Sequence, residues 1–202
     1  MRAEFVSFVS GLFLLTGCGY TFQRAQSTVY EKQGVRKIFV APLLNNTYKA
    51  GAENLLYNAA VKKIAMFRSF TIVSHQEDAD AILKGRVTAA DYGVDGSTAA
   101  NQLFGNDKIP AERHVSSGIS VATGYSATLG CSFSLIRLVD NKEGTGLWAG
   151  SFSKSLHFPA NNQLDVFGTT SALINESEFE RALRDLADSE MGDLYESMFM
   201  QF

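Results

Sequence analysis

Residues Ile119 to Leu135 read I-S-V-A-T-G-Y-S-A-T-L-G-C-S-F-S-L, and the fold is decided by their alternation. Ile119, Val121, Tyr125, Ala127, Leu129, Cys131, Phe133 and Leu135 fall on one parity; Ser120, Ala122, Gly124, Ser126, Thr128, Gly130, Ser132 and Ser134 fall on the other. Successive side chains of an extended backbone point to opposite faces, so this period of two predicts a long strand or two collinear ones. At about 3.3 Å per residue the stretch would span about 56 Å. One face is a core wall. The other is small and hydroxyl-bearing.

Downstream, Asn141 to Gly146 (NKEGTG) predicts a turn. Leu147 to Phe158 then returns with Trp148, Phe152, Leu156 and Phe158 on one side and Ser151, Ser153 and Ser155 on the other, which makes an antiparallel hairpin. Upstream, Ala81 to Tyr92 places Ala81, Leu83, Val87 and Ala89 opposite Lys84, Arg86 and Thr88, again the pattern of a half-buried strand. Val35 to Ala41 is β-branched and aromatic and stops at Pro42, and Phe70 to Ser74 reads as a further strand. Tyr20 and Phe22 suggest a short edge strand nearer the N-terminus. From Ala52 to Phe67, Leu55, Leu56, Ala59, Ala60, Ile64 and Phe67 recur at helical spacing. A C-terminal helix is expected to open at Ser177-Glu178-Phe179-Glu180, a capping-box pattern, and to carry Phe179, Ala182, Leu183, Leu186, Ala187, Met191, Leu194 and Met198 on one stripe. The expected class is α+β, with two helices packed on one face of a roughly four- to five-stranded mixed or antiparallel sheet. Gly93 to Ser117, with Leu103, Phe104 and Ile109, and Pro159 to Asn175, with Leu164, Val166 and Phe167, are expected to be long loops of a length that tends to be functional or disordered. Their apolar residues either form contact surfaces or tuck against the sheet edge.

The first residues set the compartment. Arg2 precedes an apolar run holding Phe5, Val6, Phe8, Val9, Leu12, Phe13, Leu14 and Leu15, too short to cross a bilayer that needs about 20 residues. It ends in Leu15-Thr16-Gly17-Cys18, which resembles the lipobox of bacterial lipoproteins, where small residues admit a peptidase to the bond before a diacylglycerated Cys. The chain is therefore divided into a signal peptide (1–17), a tether lipidated at Cys18 (18–34) and an α+β body (35–202). Two or more acyl chains hold a protein on a membrane essentially permanently. Gly19 stands where an Asp would signal inner-membrane retention, which points to the outer membrane, on its periplasmic face. With Cys18 acylated, Cys131 has no intrachain partner and reads as a small apolar core residue.

Composition narrows the function. The chain has 202 residues, 18 Lys and Arg against 21 Asp and Glu, and a net charge of −3, so it lacks the positive field that nucleic-acid binding uses. His75, His114 and His157 are isolated, with no second ligand at metal spacing, and no nucleophile elbow or phosphate loop is present. Asp78-Ala79-Asp80 imitates a carboxylate pair but stands before a strand, where a turn and strand entry is the simpler reading. No enzyme activity, cofactor or metal is expected.

Taken together, the lipobox followed by Gly19-Tyr20-Thr21-Phe22, then Ile38-Phe39-Val40-Ala41-Pro42-Leu43-Leu44-Asn45-Asn46-Thr47, a helix, Phe70-Thr71-Ile72-Val73, Ala79-Asp80-Ala81-Ile82-Leu83-Lys84-Gly85, a Leu147-Trp148-Ala149-Gly150 strand and a closing helix resemble the LptE family. That family is the lipoprotein subunit of the outer-membrane lipopolysaccharide translocon. Curli-type secretion lipoproteins and activators of peptidoglycan synthases share part of this pattern. The long insertion at 93–117 departs from a compact LptE plan. The resemblance implies a plug inside the LptD-like β-barrel that stabilises its assembly and assists lipopolysaccharide delivery. The Ser/Gly/Thr face from Ser120 to Ser134 would suit a polar barrel wall or, equally, open solvent. For lipopolysaccharide, with its anionic lipid A phosphates, Lys84 and Arg86 share a strand face and form the candidate contact, or else simple edge protection.

Overall fold

In the computed structural model the described residues are 29–99, 120–160 and 170–199. The leader, Cys18, the Tyr20–Phe22 strand, His114, most of the 93–117 loop and Leu164, Val166 and Phe167 lie outside them. Helix α1 (Val29–Lys32) is followed by strands β1 (Lys37–Val40) and β2 (Leu44–Asn45), helix α2 (Ala52–Phe67) and strand β3 (Thr71–Val73). Three long strands come next, β4 (Ala81–Ala99), β5 (Ser120–Val139) and β6 (Lys142–Pro159), and helix α3 (Thr170–Phe199) closes the order.

The six strands form one mixed sheet in the order β3-β1-β4-β5-β6, with β2 also beside β4. β1 runs parallel to β3 and β4, whereas β4–β5 and β5–β6 are antiparallel. The α+β class therefore stands, with one strand more than the upper expectation. β1 and β2 are two pieces of one chain path along β4, separated at Pro42, which has no N–H to give the ladder. The crossover from β1 to β3 runs through α2, as a parallel pair requires.

The core lies between the sheet and α2 and α3. Leu56, Ala60 and Ile64 of α2 and Leu183, Met191 and Leu194 of α3 are fully buried together with Leu83, Val87, Leu129, Cys131 and Leu135. Helix α2 ends at Arg68, whose φ of 53° is left-handed and whose N–H donates to the Ile64 carbonyl. α3 begins at Thr170, seven residues before Ser177, so the expected capping box lies inside the helix. Glu180 instead holds the Lys49 ammonium at 3.3 Å.

The long strands depart from expectation at their ends. β4 continues through 93–99, part of the stretch expected to be loop, and pairs with β5 as far as Ala99↔Ser120. The β5–β6 connection is tighter than the expected 141–146 turn. Val139 pairs with Lys142, and Asp140 and Asn141 both have positive φ (50° and 61°), the requirement of a type I′ hairpin turn. A bulge at Thr88 shifts the register between Val87 and Ala89, so Ala90 rather than the expected Ala89 turns into the core. Gly130 opposite makes room for it: a Cβ there would stand 3.0 Å from Thr88 Oγ1.

Gly85 is a second such gap. The Phe133 ring lies across it, and a Cβ at residue 85 would stand 2.5 Å from Phe133 Cε1 and 3.1 Å from Leu43 Cγ. Phe133 is buried and has little room to yield. Gly85→Ala is therefore expected to cost about 1–3 kcal/mol in a urea titration, while Gly93→Ala, with nothing within 4 Å of the added methyl, should not show this overpacking loss.

Candidate docking surface

The two sides of the sheet are chemically opposite. On the helix side, Cys131 of β5 meets Glu190 of α3, the Trp148 indole N–H donates to Ser197, and Lys154 bridges to Ser189 and Asp193. Tyr92 and Tyr125 gather with Phe158 and Phe179 toward the far end of the strands. Residues of the other parity face away from the helices. Among the described residues no helix lies on that open side.

Its paving follows from the register. Ser132 stands opposite Arg86 and Ser151, Ser134 opposite Lys84 and Ala149, and Thr128 opposite Asp91 and Ser155. Gly130 opposes Ser153, and Ser126 lies between Gly93 and His157. Thr128 and Ser155 share a hydroxyl hydrogen bond of 2.9 Å across the pair. The β6 serines are exposed and those of β5 half-buried between their neighbours. Short side chains leave this side low and rich in donors and acceptors, with few long side chains to displace. At one end it turns apolar, where Phe39, Ile82 and Ile136 form one row. Ile82 there is only 2% exposed.

The charged groups on this side are largely matched. Lys84, one of the two predicted cations, is ion-paired with Glu143. Arg86 shares its face two residues on, is exposed, and has no ion-pair partner among the described residues. His157, isolated along the sequence, finds Asp95 Oδ2 at 2.7 Å from Nδ1, because β4 extends through residue 95 and carries it beside β6. His75 lies on the segment before β4, far along the sheet from His157, and no group of three metal-capable side chains occurs among the described residues.

Asp78-Ala79-Asp80 is a strand entry, as expected. Gln76–Asp78 make a single 3₁₀ turn, and Asp80 Oδ2 accepts the backbone N–H groups of Arg36 and Lys37 at 2.9 and 2.8 Å. Since the carboxylate satisfies both amides at the start of β1, Asp80→Ala is expected to cost about 1–3 kcal/mol, measured by thermal unfolding.

A feature missed from sequence lies beneath α3. Glu190 is completely buried. Its Oε2 accepts the Cys131 thiol at 3.0 Å, and its Oε1 has no partner. Burial pushes the Glu190 carboxyl above its ordinary value, against the opposing pull of the Cys131 thiol and of Lys154. Burial, reinforced by Glu190, likewise raises the Cys131 thiol, so Cys131 is a protonated core residue, as the sequence suggested. The available signal was positional. Glu190 falls three and four residues after Ala187 and Leu186, on the apolar stripe itself.

No family model matches the chain, and no curated protein matches it. Among solved structures, the chain is similar to a PelC L103M dodecamer from Paraburkholderia phytofirmans, at 16% identity and a TM-score of 0.43, covering 82% of this chain and 90% of that one. Rare lipoprotein B from Shewanella oneidensis gives 10% identity and a TM-score of 0.43, with 79% and 92% covered. Lipoprotein GNA1162 from Neisseria meningitidis gives 13% and 0.39, with 71% and 98% covered. At such values the likeness is one of general chain path.

Proposed function

We propose that this chain is a noncatalytic bacterial envelope lipoprotein, released from residues 1–17, acylated at Cys18 and held on the periplasmic face of the outer membrane. Its open, hydroxyl-paved sheet side docks on the polar wall of an LptD-like β-barrel, which it plugs and stabilises while assisting lipopolysaccharide transport. The observation that carries the reading is that side itself: a broad, low, polar surface bare of helices among the described residues, on a chain whose N-terminus ends in Leu15-Thr16-Gly17-Cys18. A polar wall can meet the hydroxyls and glycines of this side by hydrogen bonding, and it would supply partners to Arg86 and Asp91, which have no ion pair among the described residues. A lipid A phosphate would fall mainly to Arg86, because Lys84 already has Glu143.

Affinity purification from membranes in mild detergent tests it. The protein is expected to bring down a large barrel, and Ser151→Arg with Ser153→Arg, which put bulk on the open side at two exposed positions of β6, are expected to abolish that without lowering thermal stability. A monodisperse body with no barrel partner refutes the reading. Stimulation of a peptidoglycan synthase, or ring-shaped oligomers in negative stain, would transfer it to the activator or secretion-channel class. Arg86→Ala is expected to weaken lipopolysaccharide binding by about tenfold and Lys84→Ala by less, read by fluorescence titration, since a charge-assisted contact is worth about 1.5–3 kcal/mol at most.

A further inference from the structure

At the C-terminal end of α2 an aromatic chain leads to the point where the body meets its tether. Phe67 stacks on Tyr195 at 4.0 Å, Tyr195 meets Phe199 at 4.4 Å, and Phe199 meets Tyr30 of α1 at 5.7 Å. Residues 29–34, read from sequence as tether, thus form α1 and its turn, with Tyr30 buried in the core. The outer surface of this end is apolar. Met66 is 64% exposed and Phe67 45%. Lys63 stands 5.5 Å over the Phe67 ring, and Arg68 follows it; neither has an ion-pair partner among the described residues.

We propose that this end of the body rests on the membrane that holds the anchor, with Met66 and Phe67 in the headgroup layer and Lys63 and Arg68 on lipid phosphates. The inference rests on the acylation of Cys18 in the reading above. Exposed apolar and aromatic groups beside long cationic side chains are the composition that settles at a lipid–water boundary. Geometry supplies the second argument. Cys18 precedes Val29 by 11 residues, which by covalent geometry reach about 40 Å at most. Holding α1 that close to the bilayer gives even a weak surface contact a high effective concentration. α3 is about 45 Å long, so the opposite end stands away from the membrane in the same pose. Tyr48, fully exposed and next to the Lys49 that binds Glu180, marks that far end.

The test uses the full acylated protein in liposomes of phosphatidylethanolamine and phosphatidylglycerol containing a headgroup nitroxide lipid. A fluorophore is placed on Met66→Cys or on Tyr48→Cys; Cys131 is buried and does not label. The label at 66 is expected to be quenched about threefold more than that at 48, and Lys63→Glu with Arg68→Glu to remove the difference. Liposome-bound protein whose two labels respond alike overturns the docking and leaves the anchor standing. Protein that fails to associate, with a mature N-terminus of unacylated mass, overturns both.

Discussion

Replacing Glu190 by methionine is expected to stabilise the folded body at pH 8 by about 1–3 kcal/mol, the scale of burying a polar group short of its partners. The carboxyl is fully buried with Oε1 unpartnered, and the thiol it leaves behind is a weak donor that loses little. For a domain of this size each kcal/mol is about 2–4 °C in Tm. The pH dependence carries a sign. Burial raises the folded-state carboxyl above its ordinary value of 4.5, so the folded chain holds this proton more tightly than the unfolded chain. The associated stability is present in full below that ordinary value and is lost as pH rises through the raised one. Methionine has no proton to lose, so its advantage over wild type should grow from pH 4.5 to pH 8 in paired urea titrations. An advantage that stays constant over that range would show that Glu190 titrates alike in both states. Other carboxylates contribute equally to both proteins and cancel in the difference.

Leu183→Ala should produce the largest loss, about 2–5 kcal/mol. Leu183 is fully buried where α3 lies on the sheet, and a helix of 30 residues apolar along only one stripe owes its stability to that packing. Arg184→Ala one residue on, on the exposed side, is expected to change stability by less than about 0.5 kcal/mol. Thermal unfolding of the two variants side by side separates the effect of helix packing from that of helix propensity. Equal, small changes in both would mean that α3 is not held by its buried stripe.

Both helix stripes and the core parity of β5 and β6 were legible in the sequence because each is a periodicity. A pleat of two residues or a turn of 3.6 sends side chains to one face whatever the partner, so Leu129, Cys131, Leu135, Leu183 and Met191 could be assigned to the core from spacing alone. The Ser/Thr/Gly parity was equally readable, and so was Asp80 as a strand entry. Where a periodicity slips, the reading slipped with it. The Thr88 bulge moved Ala90 into the core, and the positive φ angles of Asp140 and Asn141 shortened the hairpin turn. Polar, glycine-rich residues 93–99 read as loop because nothing local favours a strand there; pairing with β5 supplies what propensity lacks.

By itself, the sequence determined the α+β class, the two amphipathic helices and the hydroxyl-bearing parity of the central strands, since each depends only on residue order along one chain. The tertiary structure alone decided that Glu190 meets Cys131 in the core, that Lys84 is paired while Arg86 is not, and that Phe67 joins Tyr30 through Tyr195 and Phe199. Apart from the step from Tyr195 to Phe199, four residues apart on α3, these contacts join residues remote in sequence, so they exist only once the strands have paired and the helices have docked, and no local pattern encodes them.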